Sequence, residues 1–281
     1  MRRSPAPWIA AAYDRLLRLR GTRPGWGYRG RGSAYSEPTV LGCLALLAAG
    51  HEPRDAVVRA LVESSAAWLA GLQQEDGAVG VSSELPAPCW PTAWAGLLWS
   101  QQAKRWQSDR FEEPRDRALQ WLLGRQGNTF PKSSDGVLGH DTSIPGWPWV
   151  AGTHPWLEPT AAAMLVLCQN GLGAHRRTQD GIRLVLDRAI PGGGWNMGNS
   201  IVFGRTLRPQ AGPTGMALLA LRAAGQNRSP RVMKACRYLA GTLPGTRAAE
   251  SLGWGLLGLA AWGARPADAD QWLAESFGRA L

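Results

Sequence analysis

Apolar and polar positions along this chain fall into two kinds of window. In one kind, an apolar stripe at helical spacing faces a charged side. Residues 8–20 place Ile9, Ala12, Leu16, Leu17 and Leu19 on one flank, and residues 54–72 set Val57, Val58, Leu61, Trp68, Leu69 and Leu72 against Arg59, Glu63 and Ser64. Residues 114–125, 179–189, 231–240 and 268–280 read the same way. Between these windows lie five apolar runs. Residues 38–49, the run from Pro91 through Trp94 and Trp99, and residues 159–168, 213–225 and 250–263 lack a polar face, which predicts helices buried all round.

The apolar runs share an opening. Glu37-Pro38-Thr39, Glu158-Pro159-Thr160 and Gly212-Pro213-Thr214 each precede a Gly that lies 11 residues beyond the Thr. Trp90-Pro91-Thr92 starts a fourth copy, and Glu250-Ser251-Leu252 with Gly263 a weaker fifth. Pro159 suits the first helical position, which puts Glu158 at the cap, and Asn170-Gly171 supplies the stop. A unit that recurs in this way indicates a repeat architecture. The expected fold is all-α: one α/α-toroid domain over residues 1–281, with six amphipathic outer helices, five apolar inner ones, and the starts of the inner helices around a central cavity.

Composition sharpens this picture. Fifteen Trp stand against four Phe and four Tyr, a bias that suits both helix packing and the lining of a ligand cavity. The formal net charge is +10, and only Lys104, Lys132 and Lys234 among the 31 basic residues are lysines. No basic and aromatic residues alternate as a nucleic-acid module requires, so no nucleic-acid partner is expected. A basic surface favours anionic lipid, in peripheral membrane contact, or a phosphorylated substrate. Cys43, Cys89, Cys168 and Cys236 are far apart and read as reduced core residues of a cytoplasmic protein. The N-terminal apolar run is interrupted by Asp14 and Arg15, unlike a signal peptide, and no segment reaches the ~18 apolar residues that span a bilayer.

Several short motifs carry a resemblance. Ala67-Trp68-Leu69-Ala70-Gly71-Leu72-Gln73 followed by Asp76-Gly77, then Trp121-Leu122 with Gln126, and Gly193-Gly194-Trp195 resemble the Gln-Trp repeats of squalene-hopene and oxidosqualene cyclases. Those class II terpene cyclases share an α/α toroid with protein prenyltransferase β subunits. The resemblance implies an isoprenoid or other apolar small molecule as substrate, with no metal and no cofactor. It places Trp156-Leu157-Glu158-Pro159-Thr160-Ala161 on the family's Asp-x-Asp-Asp-Thr-Ala sequence, so that Glu158 stands where the proton donor stands; the first and last Asp are missing. The zinc ligands of the prenyltransferases have no counterpart here, and cyclases of this type generally join two toroids, which leaves a partner subunit open.

On this reading Glu158 is the acid, positioned by His154 or Asp141. Trp90, Trp147, Trp149, Trp156, Trp195 and Glu37 contact the substrate. A structural reading stands beside it. Glu37 and Glu250 occupy the same place in their repeats, and a helix N-terminus stabilises a carboxylate rather than a protonated acid. Two other functions stay open: a glycan-active toroid pairing Glu158 with Glu37, Asp141 or Glu250 within about 10 Å, and a non-catalytic scaffold. His140-Asp141 with His154 is too sparse for a metal site. Asn196, Asn199, Arg205 and Arg208 either meet a diphosphate or cap their own loop.

Overall fold

The structure, a computed structural model, describes residues 7–30, 32–49, 55–132 and 137–280. The chain is mostly helical, and each of the eleven windows contains a helix. In order these are α1 (Pro7–Arg20), α2 (Ser36–Ala49), α3 (Asp55–Gly71), α4 (Pro91–Trp106), α5 (Glu112–Gly124), α6 (Leu157–Gln169), α7 (Arg176–Asp187), α8 (Ala211–Ala223), α9 (Pro230–Thr242), α10 (Ala249–Ala261) and α11 (Ala269–Arg279). One two-residue-per-strand hairpin, β1 (Ile201–Val202) and β2 (Arg205–Thr206), interrupts the loop before α8. Arg54 and Gly50, used above as a helix start and a helix stop, lie outside the described residues. No described helix is long and apolar enough to cross a membrane.

The helices fall into two compact units, Met1–Arg125 and Gln126–Leu281. In the first, α2 packs on α4, with α3 against both, α5 on α4 and α1 on α2. In the second, α8 packs between α6 and α10, while α7, α9 and α11 cover them from outside. The apolar helices form the core of each unit: residues 91–100 of α4, 159–167 of α6 and 211–218 of α8 are buried without a break. Packing between α8 and α10 is close because Gly215 and Gly258 face each other, and a Cβ on Gly215 would strike the Trp254 carbonyl.

Helix starts differ from the sequence expectation by about a turn's half. α6 begins at Leu157, with Trp156 in extended conformation at the cap, so Glu158 is the second helical residue and not the cap. The cause is local. Leu157 N–H donates to Met197 O at 3.0 Å and Thr160 N–H to Trp156 O at 3.3 Å, so a first turn forms ahead of Pro159. The missing N–H of Pro159 still falls among the four donors that have no intrahelical acceptor. α2 and α8 likewise start two residues before their Pro, and of the four Pro-Thr openings that of α4 begins at the Pro.

The Thr of the repeat has a specific task. Thr39 Oγ1 accepts from Trp26 N–H at 3.0 Å, Thr92 from Val79 N–H at 2.8 Å, Thr160 from Trp147 N–H at 3.0 Å and Thr214 from Trp195 N–H at 2.9 Å. Each hydroxyl also points back to the carbonyl of the same residue, at 3.4, 3.4, 3.4 and 3.0 Å. One buried side chain thus serves both backbone groups of a loop residue 13, 13, 13 or 19 positions upstream. The close approach needs a glycine before the clamped Trp: a Cβ on Gly146 would lie 2.7 Å from Thr160 Oγ1, and one on Gly194 2.9 Å from Thr214 Oγ1. In two repeats the clamped Trp reaches the outer helix as well. Trp26 Nε1 donates to Leu16 O at 2.8 Å, and Trp195 Nε1 to Val185 O at 2.7 Å. Trp147 is held instead under the Arg177 guanidinium, 4.4 Å from the ring centre, and Arg177 is paired with buried Asp180.

In the first unit the Gln and Asp-Gly of the repeat act as staples. Gln73 Nε2 donates to Gly77 O at 3.0 Å and to Pro114 O at 2.9 Å, which ties the turn after α3 to the start of α5. Asp76 accepts from Ala78 N–H at 3.0 Å, from Trp121 Nε1 at 3.0 Å and from Arg125 at 2.8 Å. Partial desolvation pushes the Asp76 carboxyl up, but these donors outweigh it and hold the group below its ordinary range.

Two outcomes follow from these contacts. Thr160→Val leaves the Trp147 N–H without a partner, while the Trp147 carbonyl keeps the Trp156 N–H, so urea unfolding loses about 1–3 kcal/mol, whereas Thr160→Ser loses less than half as much. For Asp76 the depressed folded-state value means that its stabilisation is present above the unfolded carboxyl value of about 3.9 and is lost as pH falls through the folded value. The difference in melting temperature between wild type and Asp76→Asn therefore narrows on acidification, which differential scanning calorimetry at stepped pH measures.

Candidate functional site

The loops ahead of α6 and α8 are laced together by backbone hydrogen bonds at the amino-terminal ends of those two helices. Leu157 N–H donates to Met197 O at 3.0 Å, Gly139 N–H to Ile201 O at 2.9 Å and Phe203 N–H to Val137 O at 2.8 Å. Within the first loop, Trp156 N–H donates to Trp147 O at 3.0 Å, and Gly127 and Asn128 bond to Gly146 and Thr153. This brings Asp141, Trp147, Trp149, His154, Trp156 and Glu158 into one loop-and-helix assembly of the second unit.

Their environments differ sharply. Trp147 and Trp195 are sealed, at 2% and 0% exposure, and belong to the threonine clamps. Trp149, Trp156 and Glu158 are half-buried, with Glu158 in the first turn of α6. His154 is exposed and lays its ring against Trp156, centroids 4.4 Å apart. Asp141 is committed elsewhere: its Oδ1 accepts from Ser143 Oγ at 2.6 Å and Ser143 N–H at 2.9 Å, and these bonds hold the carboxyl below its usual range. An acid held ionised in this way is a turn cap and not a proton donor. Trp90 and Glu37 lie in the first unit. Trp90 is half-buried at the start of α4, and Glu37 accepts from the Tyr28 hydroxyl at 2.8 Å. Glu250 is exposed in the first turn of α10.

The loop between α7 and α8 is shaped mainly by its own residues. Asn196 Oδ1 accepts from Gly198 N–H and Asn199 N–H, both at 3.0 Å, which is a capping role. Arg205 and Arg208 are exposed. Beneath this loop Asp187 Oδ2 accepts from Asp141 N–H at 3.0 Å and from Arg188 at 3.1 Å. Burial pushes the Asp187 carboxyl up and brings the Arg188 guanidinium down to about 10. His140 is also buried there, with Nδ1 unpaired.

Among the described residues no three His, Cys, Asp or Glu side chains gather as metal ligands. The four Cys are free thiols; burial drives Cys43 to about 12 and raises the other three, so none has the lowered value of a nucleophile. An open groove of about 960 Å³ runs between α3 and the start of α5, floored by Ala67, Ala70 and Phe111 and edged by Glu75, Asp109 and Glu113. No residue singled out from the sequence as substrate-binding lines it, and nothing in the periodicity marks it, because its wall is formed by the outer faces of two separate amphipathic helices.

No protein-family model matches the chain, and no curated protein matches it. Solved structures similar to it include two of matching helical fold. One is a crystal structure of Salmonella alpha-2-macroglobulin reacted with methylamine, with a TM-score of 0.53 and 14% identity over 97% of this chain and 16% of that one. The other is a crystal structure of a protein from Actinoplanes, with a TM-score of 0.54 and 16% identity over 96% of this chain and 79% of that one. The chain thus spans about 16% of the length of the alpha-2-macroglobulin it matches. At these identities what is shared is the helical fold.

Proposed function

We propose that the chain is a single α/α toroid of the terpene-cyclase type, which takes up an isoprenoid-like apolar molecule at the amino-terminal end of α6 and presents Glu158 to it as an acid. One observation carries the reading. Of the indoles in this loop-and-helix assembly, Trp149 and Trp156 are only half-buried, as is Glu158, whereas Trp147 and Trp195 are consumed by the frame. Open aromatic faces next to a carboxyl are what a protonated alkene or epoxide requires: the acid delivers the proton, and the rings stabilise the cation that results. The toroid is supported by the same pairing of apolar and amphipathic helices in both units, and the helical fold by a likeness that runs over 96% of the chain.

The helix dipole at the start of α6 opposes a protonated Glu158. An apolar ligand lying over the carboxyl reverses that balance by excluding water, since desolvation favours the neutral acid. Asp141 has no part in the proton transfer, being an ionised turn cap, and His154 acts through its contact with Trp156. With Asp141 committed and Glu250 exposed, the paired carboxylates of a glycan hydrolase find less support.

The test incubates purified protein with farnesol and with squalene, measures retention of each, and analyses products by mass spectrometry. Glu158→Gln is expected to retain the isoprenoid and lose product formation by roughly 10²-fold or more, while Trp156→Ala weakens retention. Absence of any isoprenoid binding, turnover unchanged in Glu158→Gln, or specific binding of soluble oligosaccharide instead would each overturn the proposal.

A further inference from the structure

The β1–β2 hairpin breaks a local rule. Val202 pairs with Arg205 across a two-residue turn, Phe203-Gly204, in which both central residues have positive φ, +48° and +72°. Turns of this kind strongly favour Asn-Gly or Asp-Gly, because the left-handed region is costly for a residue with a bulky side chain. The chain nevertheless places a Phe there, in a sequence with only four, and leaves it 76% exposed, the most open of its large apolar side chains among the described residues. Neither the fold nor the turn benefits from it.

Its surroundings point one way. The hairpin pairs with residues 137–139 through Phe203 N–H to Val137 O and Gly139 N–H to Ile201 O. The two loops joined there also expose Phe130 (59%), Val150 (45%) and Met197 (38%). Arg205 and Arg208 are exposed on the same loop as Phe203, and residues 189–210 contain no Asp or Glu. Apolar side chains set singly on loops, with exposed cations on the hairpin's own loop and a molecule of net charge +10, match a fluid anionic surface better than the continuous dry patch of a protein interface.

We infer that the Ile201–Thr206 hairpin is a membrane-docking element: Phe203 enters the boundary between headgroups and acyl chains of an anionic bilayer, and Arg205 and Arg208 meet the lipid phosphates. The inference stands apart from the isoprenoid reading, since it concerns phospholipid at the surface and not a ligand at Glu158. Phe at the tip supplies burial of apolar area in the bilayer, and each Arg adds attraction to the negative surface.

Flotation of the full chain with vesicles of phosphatidylcholine alone, and of phosphatidylcholine mixed with phosphatidylglycerol, tests it without any isoprenoid present. Wild type is expected to float with the mixed vesicles and much less with phosphatidylcholine. Phe203→Asn, which installs the preferred turn pair, should keep or raise the melting temperature and weaken partition about tenfold. Phe203→Leu should retain partition, and Arg205→Gln with Arg208→Gln should lower it by about tenfold at low salt. The proposal is overturned if wild type floats with neither vesicle, if Phe203→Asn floats as wild type does, or if the double Arg change leaves the preference for anionic lipid intact. It is overturned equally if light scattering without lipid shows self-association that Phe203→Asn abolishes, which would make the hairpin a contact between copies.

Discussion

A buried loop is admissible only if its backbone donors and acceptors find partners, and in this protein four threonine hydroxyls meet that condition. Thr39, Thr92, Thr160 and Thr214 each bond the N–H and face the C=O of a single loop residue, and all four are completely buried. Without that arrangement each loop would carry an unsatisfied N–H into the core, at a cost of roughly 1–3 kcal/mol, since the carbonyls of Trp26, Trp147 and Trp195 also accept from Tyr35, Trp156 and Gln210. With it, the loop is fixed at a point close to the inner-helix start, however many residues it contains. The spacing of 13 residues in three repeats and 19 in the fourth shows this, because the longer loop before α8 absorbs its extra length in the Ile201–Thr206 hairpin and still returns to the same clamp.

That constraint separates what was legible in the sequence from what was not. The helices were legible because the contrast between a one-sided and an all-round apolar window survives folding: α6 buries residues 159–167 without exception, while α5 alternates. Helix starts were less so. Pro159 was read as the first residue, but the carbonyl that draws Leu157 into the helix belongs to Met197, 40 positions away. The threonines were visible as a motif and invisible as clamps, since their partners are backbone atoms of residues that carry no signature of being bonded. The glycines before Trp147 and Trp195 were the available sign, and they read equally well as turn residues.

The same limit applied to the tryptophans. Trp147 and Trp149 are two positions apart and identical in chemistry, yet one is sealed beneath Arg177 and the other keeps open surface. Only the threonine clamp decides which is which, because it fixes Trp147 against the helix start and leaves the following residues to pass over it. Asp141 shows a related limit. A carboxylate near a helix start is a plausible helper for an acid, but Ser143, two residues on, satisfies it first. Short-range hydrogen bonds of this type compete effectively with any longer-range role.

The repeated glutamates show how the frame and the site are told apart. Glu37, Glu158 and Glu250 all stand in the first turn of an inner helix, where the dipole favours a negative charge, so that effect is common to all three. What differs is what surrounds them. Glu250 faces solvent, and Glu37 accepts from the Tyr28 hydroxyl, an arrangement that needs no ligand to explain it. Glu158 sits within the loop assembly that holds half-buried Trp149 and Trp156, and the neighbouring loop is bound to its own helix start through Leu157 and Met197. The dipole effect is common to all three glutamates, whereas sharing a loop assembly with half-buried Trp149 and Trp156 is particular to Glu158, and the proposed apolar ligand rests on that difference.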